Sequence, residues 1–263
     1  MRRRTRIAAV GATSLAAALV TATLLSGSNG AGAPTELGAK SQAGSVLLAE
    51  ASDHLPSETA TDWVTYADHV VVVSAVSERR VPASRAEVER GEGVIGRQVT
   101  LKIDKVLWSR AGAPKAAPKT WDYNATGWQF TDGKVDAPRK MALHERPRVE
   151  PGHTYIMAMV WEEARCSPGD TPEPARWRGL GAGSEIPYDA GIIGNGEFEG
   201  GTQKVAKAQK APAPVSPLGL DATAAVLEER LDGQAADVLA AELKSAKPGV
   251  KRQFAAAAGT TCG

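Results

Sequence analysis

The stretch HVVVVSAVS, residues 69–77, decides the fold. Val70, Val71, Val72, Val73 and Val76 crowd into it. β-Branched side chains are stiff in a helix and sit well on a pleated surface. Apolar residues that run on without alternating describe a strand buried on both faces. Working outward, residues 97–108 alternate. Val99, Leu101 and Ile103 point one way, and Thr100, Lys102 and Asp104 the other. Val106 and Trp108 are even-numbered, so the phase slips by one residue. A β-bulge makes such a slip and lets a sheet bend sharply. The charged insert 81–93 between these two strands reads as a loop or a short helix. Residues 154–161, TYIMAMVW, follow the turn signal Pro151-Gly152 and are apolar at both parities, which marks a second central strand. Residues 139–144 read as a short strand with Met141 and Leu143 inward. Residues 176–200 read as short strands broken by glycines.

The string WDYNATGWQF, residues 121–130, holds four of the chain's thirteen aromatics. Trp121 and Tyr123 share one parity, and Trp128 and Phe130 the other. A turn at Asn124-Ala125-Thr126-Gly127 sets Tyr123 opposite Trp128 and Trp121 opposite Phe130, so all four share one face of one hairpin. Exposed, that face would stack on sugar rings or grip a partner. Buried, it would close the sheet or pack under helices, the commoner use of such residues.

Beyond residue 200 the pattern changes. Residues 201–217 are rich in Gly, Lys, Ala and Pro and read as a linker. Leu220, Ala224, Leu227 and Leu231 then recur at helical spacing, with Asp221 as cap. Asp232-Gly233 breaks the run. Ala235, Leu239, Leu243 and Ala246 form a second stripe, stopped by Pro248-Gly249. Two short helices bury too little surface alone, so they must dock on the β domain.

The start of the chain reads MRRRTR, then a weakly apolar run from Ile7 to Leu25, then small residues. These are the three parts of a secretory signal. Two cuts fit: after Gly30, or after Ala31-Gly32-Ala33, where Pro34 is unfavourable. The expected organisation is therefore a signal peptide over 1–30, a flexible linker over 31–56 with a helical turn or two near 45–51, and a β domain over 57–200. The linker 201–217 and a helical hairpin with its tail over 218–263 follow. Removing Arg2, Arg3, Arg4 and Arg6 turns a formal charge of +1 into a small negative one. That argues against nucleic acid as a partner and against polybasic membrane targeting. No stable membrane insertion is expected after cleavage.

Two cysteines exclude a disulfide-framework miniprotein and a four-cysteine zinc site. Outside the cytoplasm Cys166 and Cys262 are expected to oxidise together. The loop of roughly a hundred residues would add ~4–5 kcal/mol by constraining the unfolded chain. It would also pin the tail.

Catalytic signatures are missing. Gly181-Ala182-Gly183-Ser184-Glu185 puts the serine one place late for G-x-S-x-G. His144-Glu145 begins like H-E-x-x-H, but Arg148 stands where the second histidine belongs. His144 and His153 flank a loop holding Glu145 and Glu150, a set that could gather around Zn²⁺; without diagnostic spacing the expectation is solvated loop residues. The glycines from 191 to 196 would either admit a ligand close to the backbone or serve tight turns, and turns are expected.

The strings ADHVVVVSAV, VTLKIDKVLWS and EPGHTYIMAMVW, together with the Ala-rich leader and Ala/Pro/Gly-rich linkers, resemble secreted β-domain proteins of actinobacteria of the Streptomyces type. The resemblance covers residues 60–200. It implies an exported β domain, with no assigned activity and no site residues. The strand order is also similar to small closed barrels of the OB type, whose faces bind many ligands. The expected fold class is mainly β: a strongly bent antiparallel barrel or sandwich with a C-terminal helical hairpin. The expected function is a secreted, non-catalytic binding or interaction module for an envelope or extracellular ligand. Trp121, Tyr123, Trp128 and Phe130 are its contact residues. No metal, cofactor or catalytic residue is assigned. A secreted hydrolase with its site near His144 and His153 is the alternative.

Overall fold

A computed structural model describes residues 46–50, 53–166, 172–205 and 226–252. The valine run becomes β2 (His69–Val81), the middle of a mainly β fold. Ahead of it lie β1 (Leu47–Ala49) and α1 (Ala60–Tyr66). After it come α2 (Arg85–Arg90), β3 (Gly93–Ser109), β4 (Thr120–Phe130), β5 (Arg139–Leu143) and β6 (Thr154–Glu162). Then follow β7 (Arg176–Gly179), β8 (Glu185–Pro187), β9 (Gly196–Phe198), β10 (Gly201–Gln203), α3 (Leu227–Leu231) and α4 (Ala236–Ser245). Eight strands form one sheet in the order β1-β5-β4-β3-β2-β6-β7, and β8 shares the outer edge of β6 with β7. The path has two ends, so the barrel is not closed. Nor is the sheet wholly antiparallel, because β1 runs parallel to β5.

Val70 to Val73 are all buried because two cores meet at β2. On one face Val70 and Val72 join Ile156, Ala158 and Leu107 beneath Trp63 of α1, Leu227 and Leu231 of α3, and Leu239 and Leu243 of α4. On the other, Val71 and Val73 join Val99, Leu101, Trp121, Tyr155 and Met157 inside the curl of the sheet. Each large apolar side chain so buried contributes ~1.5–3 kcal/mol. The helices dock on the sheet as the stripe at Leu227, Leu231, Leu239 and Leu243 requires. Their seat is fixed by main-chain bonds: Ile193 N–H donates to Gln234, Gly233 N–H to Ile193, and Leu227 N–H to Glu58.

The phase slip in β3 is present. Pairing with β2 skips Leu107 and Asp104 on β3, and Val76 on β2. Leu101 and Leu107 share odd parity yet enter opposite cores. The residue that crosses over is Leu107, however; Val106 stays exposed.

Four expectations need correction. Residues 47–49 form a strand rather than a helical turn in a linker, since the open edge of β5 supplies hydrogen-bond partners such as His144 N–H to Ala49. Residues 201–203 likewise pair with β9 instead of starting a linker. In β5 the buried residue is Ala142, with Met141 and Leu143 only partly covered. Residues 120–130 make one continuous strand, not a hairpin. Their change of parity is a bulge opposite Ile95–Arg97. Gly127 permits it, because a Cβ there would overlap the Ile95 carbonyl. The insert 81–93 is α2, closed by a Ser84–Glu87 capping box. Asp221, Leu220 and Ala224 lie outside the described residues, as do the leader and Cys262.

Candidate functional site

The curl brings β4 opposite β7 without a main-chain ladder between them. Side chains bridge the seam instead. Trp121 Nε1 donates to the Trp177 carbonyl at 3.2 Å. Trp161 N–H turns away from β7 to Asp68 Oδ2, at 2.7 Å. The facing Trp161–Trp177 pair is therefore the non-hydrogen-bonded kind, and the main chain of Trp177 points into the seam. Beside this contact the Tyr123 hydroxyl bonds Glu185 Oε1, tying β4 to β8. Gly179 lets the phenol lie flat, since a Cβ there would come within 3.1 Å of the ring.

Farther along, the seam opens. β5 pairs with β4 only at Trp128 and Gln129, then splays away. The Arg148 guanidinium fills the wedge. It donates to Met141 O at 2.7 Å and Gly127 O at 3.0 Å, and pairs with Glu150 at 2.5 Å. Arg97 lies beside it, bonded to Thr126 O at 2.9 Å and Glu78 at 2.7 Å, and also to the Arg148 carbonyl. Neither guanidinium has any exposed surface. Glu197 completes this floor. It accepts from the N–H groups of Arg148, Val149 and Gly200 and from the Tyr155 hydroxyl at 2.7–3.0 Å. Every buried charge here has a partner, which is what burial demands.

Above the floor lies a cleft of about 650 Å³. Residues 122–126 of β4 and 176–182 line it consecutively, both parities included, so it runs along strand edges rather than over a sheet face. Gln98, Asp122, Asn124, Arg176, Arg178 and Glu185 supply its polar groups. Glu185 is only 7% exposed. Burial pushes its carboxyl up to about 8, opposed by the Tyr123 hydrogen bond and aided by the charge of Asp53. It is thus a neutral acid at pH 7. Burial, with Glu185 alongside, raises the Tyr123 phenol well above its usual range.

Asp53 stands at the rim and also lines an adjoining groove of about 510 Å³. Its Oδ1 accepts from Ala182 N–H at 2.8 Å, and its Oδ2 from Gly183 N–H at 3.1 Å and from Ser57. Gly181 and Gly183 are required because a Cβ on either would strike Asp53 or Ser57. The string that misses G-x-S-x-G by one place is the collar that holds this carboxylate.

No protein-family model matches this chain. No solved structure matches it either. The site therefore rests on its own geometry.

The aromatic quartet does not form a platform. Trp121, Trp128 and Phe130 are 3%, 5% and 2% exposed. Trp121 and Tyr123 meet edge to face at 5.0 Å in the curl, whereas Trp128 and Phe130 pack with Ile95 in a separate cluster. Arg80 and Arg148 cover the Trp128 ring at 4.6 and 5.0 Å. The bulge restores a shared face, since Trp121, Tyr123 and Trp128 lie opposite Leu101, Val99 and Ile95 of β3, but that face is covered and Arg97 stands between the two clusters. Only Tyr123 of the four reaches the cleft. His144 and His153 are not brought to a shared carboxylate. His144 bonds Glu199 at 2.9 Å, and that bond raises its pKa. His153 bonds Asp189 at 2.6 Å. Among the described residues no group of three or more His, Cys, Asp or Glu could hold a metal ion. No helix among them is long and apolar enough to cross a membrane.

The sequence held little sign of this cleft. Glu185 follows a serine and stands two places before a proline, and Asp53 sits in apparent linker. Only the near-miss glycine string marked the spot.

Proposed function

We propose that the protein is an exported binding module and that its ligand occupies the seam cleft. The carrying observation is a cleft of about 650 Å³ along an unpaired strand seam, with donors and acceptors on both walls. Ligand sites fall in the ~300–1,000 Å³ range and carry a few converging polar groups. Amides from Gln98 and Asn124, the Asp122 carboxylate and the Arg176 and Arg178 guanidiniums suit a hydroxyl-rich ligand such as a glycan. The leader over residues 1–30 and the resemblance to secreted actinobacterial β domains support export. A Cys166–Cys262 bond would hold the tail in that environment.

The test is thermal unfolding of the chain from residue 31 onward against soluble glycans and cell-wall fragments. A ligand at ~100 times its Kd adds ~2.7 kcal/mol. At ~2–4 °C per kcal/mol for a chain of this size, the midpoint rises by roughly 5–10 °C. Arg178→Ala and Asp122→Ala, both at exposed positions, should abolish the rise. A flat panel, or a rise that survives both substitutions, sinks the reading.

A further inference from the structure

We propose that the seam cleft cleaves a glycosidic bond in the ligand it holds, with Glu185 as proton donor and Asp53 as the carboxylate that activates water. This rests on the binding reading above and takes it one step further. Two carboxyl groups line one cavity in opposed environments. Glu185 is buried at the base of the seam, held by the Tyr123 hydroxyl, and neutral at pH 7. Asp53 is at the rim, aimed by two main-chain N–H groups and Ser57. A buried acid and a rim carboxylate on one cavity supply the two roles that acetal hydrolysis needs, one acid and one base.

The steps balance. Glu185 gives its proton to the glycosidic oxygen as the anomeric C–O bond breaks. Asp53 takes a proton from the water whose oxygen bonds to the anomeric carbon. The products are two hydroxyl-bearing sugars, and the proton on Asp53 returns to Glu185 through solvent. No oxidant, metal or cofactor enters. Arg178, half-exposed on the β7 wall with its guanidinium 3.2 Å from Glu162, gives the cleft a cation for a sugar bearing a carboxylate.

The experiment uses 4-methylumbelliferyl and 2,4-dinitrophenyl glycosides of glucose, N-acetylglucosamine and glucuronic acid, in α and β forms. The wild-type chain should turn over at least one sugar. Glu185→Gln should slow the methylumbelliferyl substrate ~100-fold or more, the usual worth of a general acid. It should slow the dinitrophenyl substrate far less, because that leaving group departs without a proton. Asp53→Asn should slow both. A residue with a merely structural role would slow the two leaving groups equally, and that result overturns the assignment. Thermal shifts with the same glycosides separate the two layers. Binding without turnover overturns catalysis and keeps the binding module. Neither binding nor turnover overturns both.

Discussion

Glu185→Gln should flatten the pH dependence of stability on the alkaline side. The folded chain raises this carboxyl from 4.5 to about 8. Between those values the folded state holds a proton that the unfolded chain has released. Stability therefore falls as pH rises through that window; it is fullest below about 4.5 and the loss is complete above about 8. At ~1.4 kcal/mol per unit, the whole rise corresponds to on the order of 5 kcal/mol. Glu228 on α3 adds a loss of the same sign, because burial first and Asp232 second raise its carboxyl to about 7. Glutamine cannot ionise and still offers Tyr123 an acceptor, so the variant loses the Glu185 share alone. Melting curves at pH 5.5 and 8.5 make the comparison. At ~2–4 °C per kcal/mol, the wild-type midpoint should drop roughly 10 °C more than that of Glu185→Gln. Adding Glu228→Gln should remove most of what remains. Equal drops in wild type and Glu185→Gln would refute the claim that the seam keeps this acid out of water.

Other substitutions probe the floor and the strand. Arg148→Met leaves the carbonyls of Gly127 and Met141 without their donor and Glu150 with Lys140 and Arg97 alone. Urea unfolding should register a loss of ~3–5 kcal/mol, the cost of breaking a buried pair; a loss under ~1 kcal/mol would mean that water replaces the guanidinium. Gly127→Ala forces a methyl against the Ile95 carbonyl and should cost ~1–3 kcal/mol, and a neutral result in the same assay would show that the bulge can relax. On the proposed Cys166–Cys262 bond, Cys166→Ser should lower the midpoint and free one thiol at Cys262; two titratable thiols in the wild-type chain under non-reducing conditions would refute the bond.

The sequence made the centre of the fold plain and the site obscure, for one reason. Burial on both faces writes itself as a run such as Val70–Val73, and a helix that must dock writes a stripe such as Leu239–Leu243. Both signals come from many residues acting alike. β4 misled because a parity change reads the same whether the chain turns or bulges; the difference lies in Ile95, its neighbour in space. Ala49 was lost because a three-residue edge strand is too short to show a period. The cleft depends on single residues that meet across the chain, Asp53 with Gly183 and Tyr123 with Glu185. No local pattern announces such meetings.

The seam has a consequence for how this protein can change. A main-chain ladder holds neighbouring strands at a spacing of ~4.8 Å whatever the residues are. Between β4 and the pair β7 and β8 that ruler is replaced by an indole and a phenol, whose lengths are written in single codons. A shorter or longer side chain at 121 or 123 resets the aperture while every strand pairing elsewhere stays as it is. The mouth can thus change width by point substitution, on a scaffold that does not have to be rebuilt.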